Sequence, residues 1–146
     1  MVRFHRGSAR LDQQLTQNGD LVKQAIDALS AGGSTNIAAG INTAQQELTS
    51  SRHNPAATPV IVLLSDGRPT IGDALAAAQS AKGAGTRIIT IGLGNDVDED
   101  LMRAIASSPT DYHFAPTSAD LTAIYLEIAH TLGCATPTPT PTQSAQ

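Results

Sequence analysis

Hydrophobic and polar positions divide this chain into alternating short strands and amphipathic helices. Val2 and Phe4 alternate with Arg3 and His5, Gly7 and Ser8 offer a turn, and Leu11 and Leu15 continue on a returning segment, which predicts a hairpin. Leu21, Val22, Ala25, Ile26 and Leu29 recur at helical spacing behind a candidate cap at Asp20, with the helix ending near Gly32. Ile37, Ile41, Ala44 and Leu48 stripe a second helix that stops before Pro55. Val60, Ile61, Val62, Leu63 and Leu64 show no alternation, so this strand is apolar on both faces, the pattern of a central parallel strand covered by helices. An alanine-rich helix capped by Asp73 runs to Gly83 or Gly85, and Arg87 to Ile91 forms another strand with Gly92, Leu93 and Gly94 as its exit turn. A short helix holds Leu101, Ile105 and Ala106, Tyr112, His113 and Phe114 form a last strand, and Leu121, Ile124, Tyr125, Ile128 and Leu132 stripe a final helix. This alternation predicts a Rossmann-like α/β fold: an open, mostly parallel sheet, helices on both faces and an antiparallel edge hairpin.

The apolar run at 60–64 breaks abruptly at Ser65, Asp66 and Gly67. Open α/β sheets bind ligands at the carboxyl ends of their strands, so Asp66 is either a ligand or a turn residue. Upstream, Gly32-Gly33-Ser34-Thr35-Asn36-Ile37 is a glycine-rich loop entering a helix with hydroxyls at its start. Thr35 has its own local reading, as a helix-capping hydroxyl.

Together, Gly-Gly-Ser-Thr-Asn-Ile at 32–37, Leu-Leu-Ser-Asp-Gly at 63–67 and Arg87-Ile88-Ile89-Thr90-Ile91-Gly92-Leu93-Gly94 resemble the von Willebrand factor type A (VWA) domain, from about Met1 to Leu132. The resemblance implies a metal-ion-dependent adhesion site, or MIDAS, assembled from three loops: a DxSxS loop, a threonine and an aspartate. Thr35 and Asp66 match the second and third, with Ser34 and Ser65 as the secondary candidates beside them. In the family the threonine binds the ion directly and the aspartate usually through water. DxSxS does not occur in this chain, and its expected place is upstream of Met1. The missing piece is the family's first strand, which lies mid-sheet between the hairpin and the strand ending at Asp66. We therefore expect a partial VWA domain over 1–134, from a longer protein or a miscalled start.

A missing central strand has an energetic consequence. Each buried backbone donor or acceptor left unpaired costs about 1 to 3 kcal/mol, against a whole-domain stability of roughly 5 to 15 kcal/mol. Two arrangements relieve it: direct pairing of the hairpin with the 60–64 strand, or donation of the strand by another chain.

A hard ion such as Mg²⁺ or Mn²⁺ takes about six oxygen ligands. Thr35 and Asp66 supply two side chains, one of them neutral, so this chain alone is expected to bind metal weakly or not at all. The resemblance implies a protein-binding module of adhesion or scaffold type, whose ion in the intact domain takes an acidic side chain from a protein partner. The alternative is a degenerate or structural VWA fragment that mediates assembly without metal.

The rest of the chain narrows the function class. With 146 residues, 40% hydrophobic content and a charge of −4, there is enough apolar material for one core. Aromatic residues are only 3%, and that with mild acidity argues against nucleic acid. No apolar stretch reaches a membrane span, and the first residues have no signal-peptide core. The acidic run from Asn95 to Asp100 fails the EF-hand pattern: counting Asp96 as first, the sixth position is Leu101 and the twelfth Ser107. First-turn acids suit a helix N-terminus and explain the run without metal. Gly92-Leu93-Gly94 lacks the third glycine of a dinucleotide fingerprint, Val97 standing in its place. His5, His53, His113 and His130 have no ligand spacing, GxSxG is absent, and catalysis has no support. Cys134 is the only cysteine, which excludes an internal disulfide. By analogy with secreted VWA domains bridged end to end, its partner would lie upstream of Met1. Residues 135–146 carry a Thr-Pro repeat, expected to be a disordered, extended linker that points to an extracellular or cell-surface setting.

Overall fold

The computed structural model describes residues 1–5, 8–28, 35–66, 68–69 and 72–133. Ser34, Gly67, Cys134 and the Thr-Pro tail lie outside the described residues. The elements run β1 (Val2–His5), β2 (Ser8–Leu11), α1 (Gly19–Asp27), α2 (Ile37–Leu48), β3 (Val60–Ser65), α3 (Ala74–Gly83), β4 (Arg87–Leu93), α4 (Glu99–Ile105), β5 (Tyr112–Ala115) and α5 (Leu121–Thr131). Short 3₁₀ turns at Pro109–Asp111 and Ser118–Asp120 lead into β5 and α5.

β3, β4 and β5 form a parallel sheet in that order, in a register that sets Leu63 against Thr90 and Ser65 against Gly92. β4 is the middle strand and is buried on both faces. Ile88 packs with Ile37, Ile41, Ile61, Leu63, Met102 and Ile105, the layer formed with α2, α3 and α4. Ile89 and Ile91 pack on the opposite face with Ala115 and Ile128 of α5, where Val60, Leu64 and Ile124 join them. The unbroken apolar run of β3 packs on both faces as expected, Ile61 and Leu63 in one layer and Val60 and Leu64 in the other, but among the described residues β3 is an edge strand and not the central strand that the run predicts. The exception is Val62, 39% exposed although it sits mid-strand.

β1 and β2 pair antiparallel, Val2 opposite Leu11 and Phe4 opposite Ala9, as a separate two-stranded sheet. The hairpin therefore does not close onto β3, and the first of the two arrangements that would complete the sheet is not taken. It packs instead against α2.

Local details depart from the sequence reading in instructive ways. The first helix begins one residue before Asp20, and the Asp20 N–H donates to Asn18 Oδ1 at 3.0 Å, so Asn18 is the cap. Leu21 on that helix is 41% exposed, so its apolar stripe is only partly used. Leu15, expected on the returning strand, lies beyond β2 and is exposed. Gly92 and Leu93, expected in a turn, belong to β4, and the turn falls at Gly94 with φ +77°.

Ion pairs tie the end of the sheet at which the parallel strands begin. Arg87 at the start of β4 holds Asp111 at 2.6 Å, and with the Ser108 hydroxyl keeps that buried carboxyl below its usual pKa. Glu47, near the C-terminus of α2, accepts from Arg52 at 2.7 and 2.8 Å and from the Leu15 backbone N–H at 2.7 Å, linking the segment after the hairpin to the helix. Arg52 is the chief cause that brings the Glu47 pKa from 4.5 to about 2. A carboxyl whose folded pKa is depressed stabilises the fold above its unfolded value, and that contribution disappears as pH falls through the folded one. Urea denaturation between pH 7 and pH 2 is predicted to show a loss below about pH 4.5 that is smaller in Glu47→Gln. Identical pH profiles would remove Glu47 from this role.

Candidate functional site

Three backbone segments converge at the carboxyl end of the sheet: the loop entering α2, the loop leaving β3 and the end of β4. The sequence dictates the first through Asn36, which precedes the apolar stripe of α2. Its Oδ1 accepts from the Ala39 N–H at 2.9 Å, and the residue is buried. Asn36 therefore performs the capping role that Thr35 was a candidate for, and Thr35, half-buried, sits one residue outside the helix. Ser65 is buried at the last position of β3, and Asp66 follows it exposed to solvent. Apolar burial of β3 ends there, so the carboxylate emerges where the strand leaves the core.

The contact that brings the two loops together is one the sequence reading missed. Gly72, in the segment between Asp66 and α3, has φ +84° and lies against the α2 entry. A Cβ at this position would stand 2.9 Å from Asn36 Oδ1 and 3.0 Å from the Ala38 Cβ. Gly before an Asp cap was its only signal in the sequence, since Asp73 caps α3 by accepting from the Ala76 N–H at 2.9 Å. Gly92, at the end of β4, is similarly close to Val97, whose methyls a Cβ would meet at 3.1 Å.

Other candidates resolve as structural. Asp98 caps α4 by accepting from the Leu101 N–H at 3.1 Å, and Glu99 pairs with Arg103 at 3.3 Å, so these two acids of the 95–100 run serve the helix. His53 contacts the Ala57 carbonyl, and His113 lies 4.0 Å from Glu127. Among the described residues no three His, Cys, Asp or Glu side chains gather as a metal site.

Residues 5–127 match the profile of the von Willebrand factor type A domain. This chain belongs to the VWA family. Among its relatives, a UPF0353 protein of Nocardia farcinica is 30% identical over 163 residues, covering 87% of this chain and 49% of that protein. The Synechocystis protein sll0103 is 30% identical over 107 residues, covering 71% of this chain and 25% of the other. This VWA chain thus spans half or less of the curated relatives it matches. In three dimensions it is similar to proximal thread matrix protein 1 of the mussel byssus, with TM-score 0.79 and 20% identity over 91% of this chain and 35% of that one. A second structure of that matrix protein has a zinc-occupied MIDAS motif. The vWF domain of the type V pili tip protein Mfa5 from Porphyromonas gingivalis superposes with TM-score 0.80 at 15% identity, over 90% of this chain and 78% of that one.

Because Gly72 is held at positive φ and against Asn36, Gly72→Ala is predicted to destabilise this VWA domain by more than about 1 kcal/mol in urea denaturation. Gly85, also at φ +91° but with nothing within 4 Å of a Cβ, sets the comparison: Gly85→Ala is expected to cost less. Equal costs would show that the two loops do not press on each other.

Proposed function

We propose that this chain is a non-enzymatic protein-binding module of adhesion or scaffold type, with its binding surface at the carboxyl end of the parallel sheet. The observation that supports this most is the Gly72–Asn36 contact, which joins the loop carrying Asp66 to the loop carrying Thr35. The MIDAS of a structural neighbour and the pilus-tip origin of another point the same way. The partner is a protein presenting an acidic side chain. The N-terminal end of α2, capped by a neutral Asn36, is the positive end of a twelve-residue helix and favours a carboxylate approaching there. Pilus and adhesin neighbours, together with the Thr-Pro repeat after residue 135, support a cell-surface or extracellular setting. Residues 1–134 act as the domain and 135–146 as an extended linker. Among the described residues no helix is long and apolar enough to cross a membrane.

The residues present do not fit a tightly held ion. Thr35 and Asp66, with Ser34 and Ser65 as neighbouring hydroxyls, bring one carboxylate to a site that for Mg²⁺ or Mn²⁺ needs about six oxygens. Metal dependence therefore belongs to the intact domain that also carries a DxSxS loop, and this chain alone binds Mg²⁺ or Mn²⁺ weakly or not at all. The alternative reading is a degenerate or structural VWA fragment that mediates assembly without metal.

Calorimetric titration of residues 1–146 with Mg²⁺ and Mn²⁺ tests this directly. No submillimolar affinity is expected, while the same chain extended by a DxSxS strand binds. Submillimolar binding to 1–146 that disappears in Asp66→Ala would contradict the proposal.

A further inference from the structure

Asn18 is followed by Gly19, and of the five asparagines in the chain no other precedes a glycine. The pair sits at the start of α1, in a stretch from Gln14 to Leu21 in which every residue is exposed. We propose that Asn18 is a site of spontaneous covalent modification: in the folded protein its carboxamide closes onto the Gly19 nitrogen, ammonia leaves, and the residue becomes aspartate or isoaspartate. The inference is independent of the binding surface above, because Asn18 belongs to none of the three segments that form it.

The step needs a nucleophile within reach, a carbonyl placed to take negative charge and a main chain free to turn. The Gly19 N–H is one of those that an α-helix leaves without an intrahelical acceptor, and among the described residues it donates to nothing. Glycine puts no side chain in the way, and no atom beyond its chain neighbours lies within 4 Å of where a Cβ would stand. Asn18 Oδ1 accepts from the Asp20 N–H at 3.0 Å, a turn that folds the carboxamide toward the peptide following it. That N–H, at the positive end of α1, faces the oxygen on which charge develops during attack. Residue 18 is otherwise held by its own N–H, which donates to the Thr16 hydroxyl at 3.0 Å. Both bonds span two residues, so turning the Asn18 main chain into line breaks local contacts only and uncovers no core.

The atoms balance with water as the co-reactant. Base takes the Gly19 N–H proton, the nitrogen attacks Asn18 Cγ, and a C–N bond forms as the Cγ–Nδ2 bond breaks, the departing nitrogen taking up a proton as ammonia. The product is a cyclic succinimide. Water opens it at Cγ to give aspartate or at the main-chain carbonyl to give isoaspartate, and nothing is oxidised or reduced. Aspartate keeps an acceptor at the α1 cap and adds a charge beside Asp20, whereas isoaspartate runs the main chain through Cβ and Cγ and loses the cap. The other asparagines lack a requirement. Asn36 is buried, Asn54 precedes Pro55, which has no N–H, Asn42 precedes the branched Thr43, and Asn95 precedes Asp96, whose side chain flanks the nitrogen.

The test holds the 146-residue chain at pH 8 and 37 °C and follows the tryptic peptide Leu11–Lys23, in which Asn18 is the only asparagine, by mass spectrometry over days. Two products heavier by the difference between OH and NH2 are expected, the isoaspartyl one identified by labelling with an isoaspartyl methyltransferase. The rate in the folded chain is expected to lie within fivefold of that of the same chain unfolded in urea, and the exposed Asn42 and Asn54 to convert at least tenfold more slowly. Gly19→Ala is expected to slow conversion at least tenfold with no loss in urea midpoint, since a Cβ there meets nothing and Ala suits a helix better. A folded rate more than fivefold below the unfolded one would mean that α1 holds the pair shut, and would overturn the proposal. Slowing of less than tenfold in Gly19→Ala, or conversion of another asparagine as fast as Asn18, would do the same. A metal titration that fails or succeeds changes none of these outcomes, so this inference and the functional proposal fail separately.

Discussion

Backbone pairing along β3 is the constraint on which the rest of the structure depends. The strand is built to be buried on both faces, with Ile61 and Leu63 in one apolar layer and Val60 and Leu64 in the other. Side chains alone cannot complete such a strand, because each edge carries N–H and C=O groups that must find partners once water is excluded. β4 satisfies one edge. The other faces the hollow beside the hairpin, where Val62 is exposed in the middle of the apolar run.

From this follows a division of labour between the two ends of the sheet. Where the parallel strands begin, Arg87 and Asp111 tie β4 to the turn before β5, and Glu47 and Arg52 tie α2 to the segment after the hairpin. These contacts are charged but serve packing. At the opposite end the strands stop at Ser65, Gly92 and Leu93, and Gly72 presses its loop against the cap of α2. Small residues at these positions let backbone loops approach, and the exposed Asp66 stands among them.

Most of the element order was legible in the sequence because each element carries one clear period: two in β1, none in the doubly buried β3, and near 3.6 in α2 and α5. Caps were legible where an acid stands alone before an apolar stripe, as Asp73 does, and misread where two candidates lie close together, as with Asn18 and Asp20 or Thr35 and Asn36. Gly92 reads as a turn residue locally, but its place beside Ser65 in the ladder is a tertiary fact. That the hairpin and the parallel sheet pair separately among the described residues is likewise a tertiary fact that no local period reports. The Gly72–Asn36 contact links residues 36 positions apart, and no periodicity reports such a pair.

Hydrogen exchange followed amide by amide in the 146-residue chain tests the central claim most directly. An edge strand with one open side is predicted to show alternation: within Val60–Ser65, amides directed at β4 exchange as slowly as those of Ile88–Ile91, and the intervening ones exchange at least a hundredfold faster. Uniform slow exchange along β3 would mean that its second edge is already paired, contradicting the account of β3 as an edge strand.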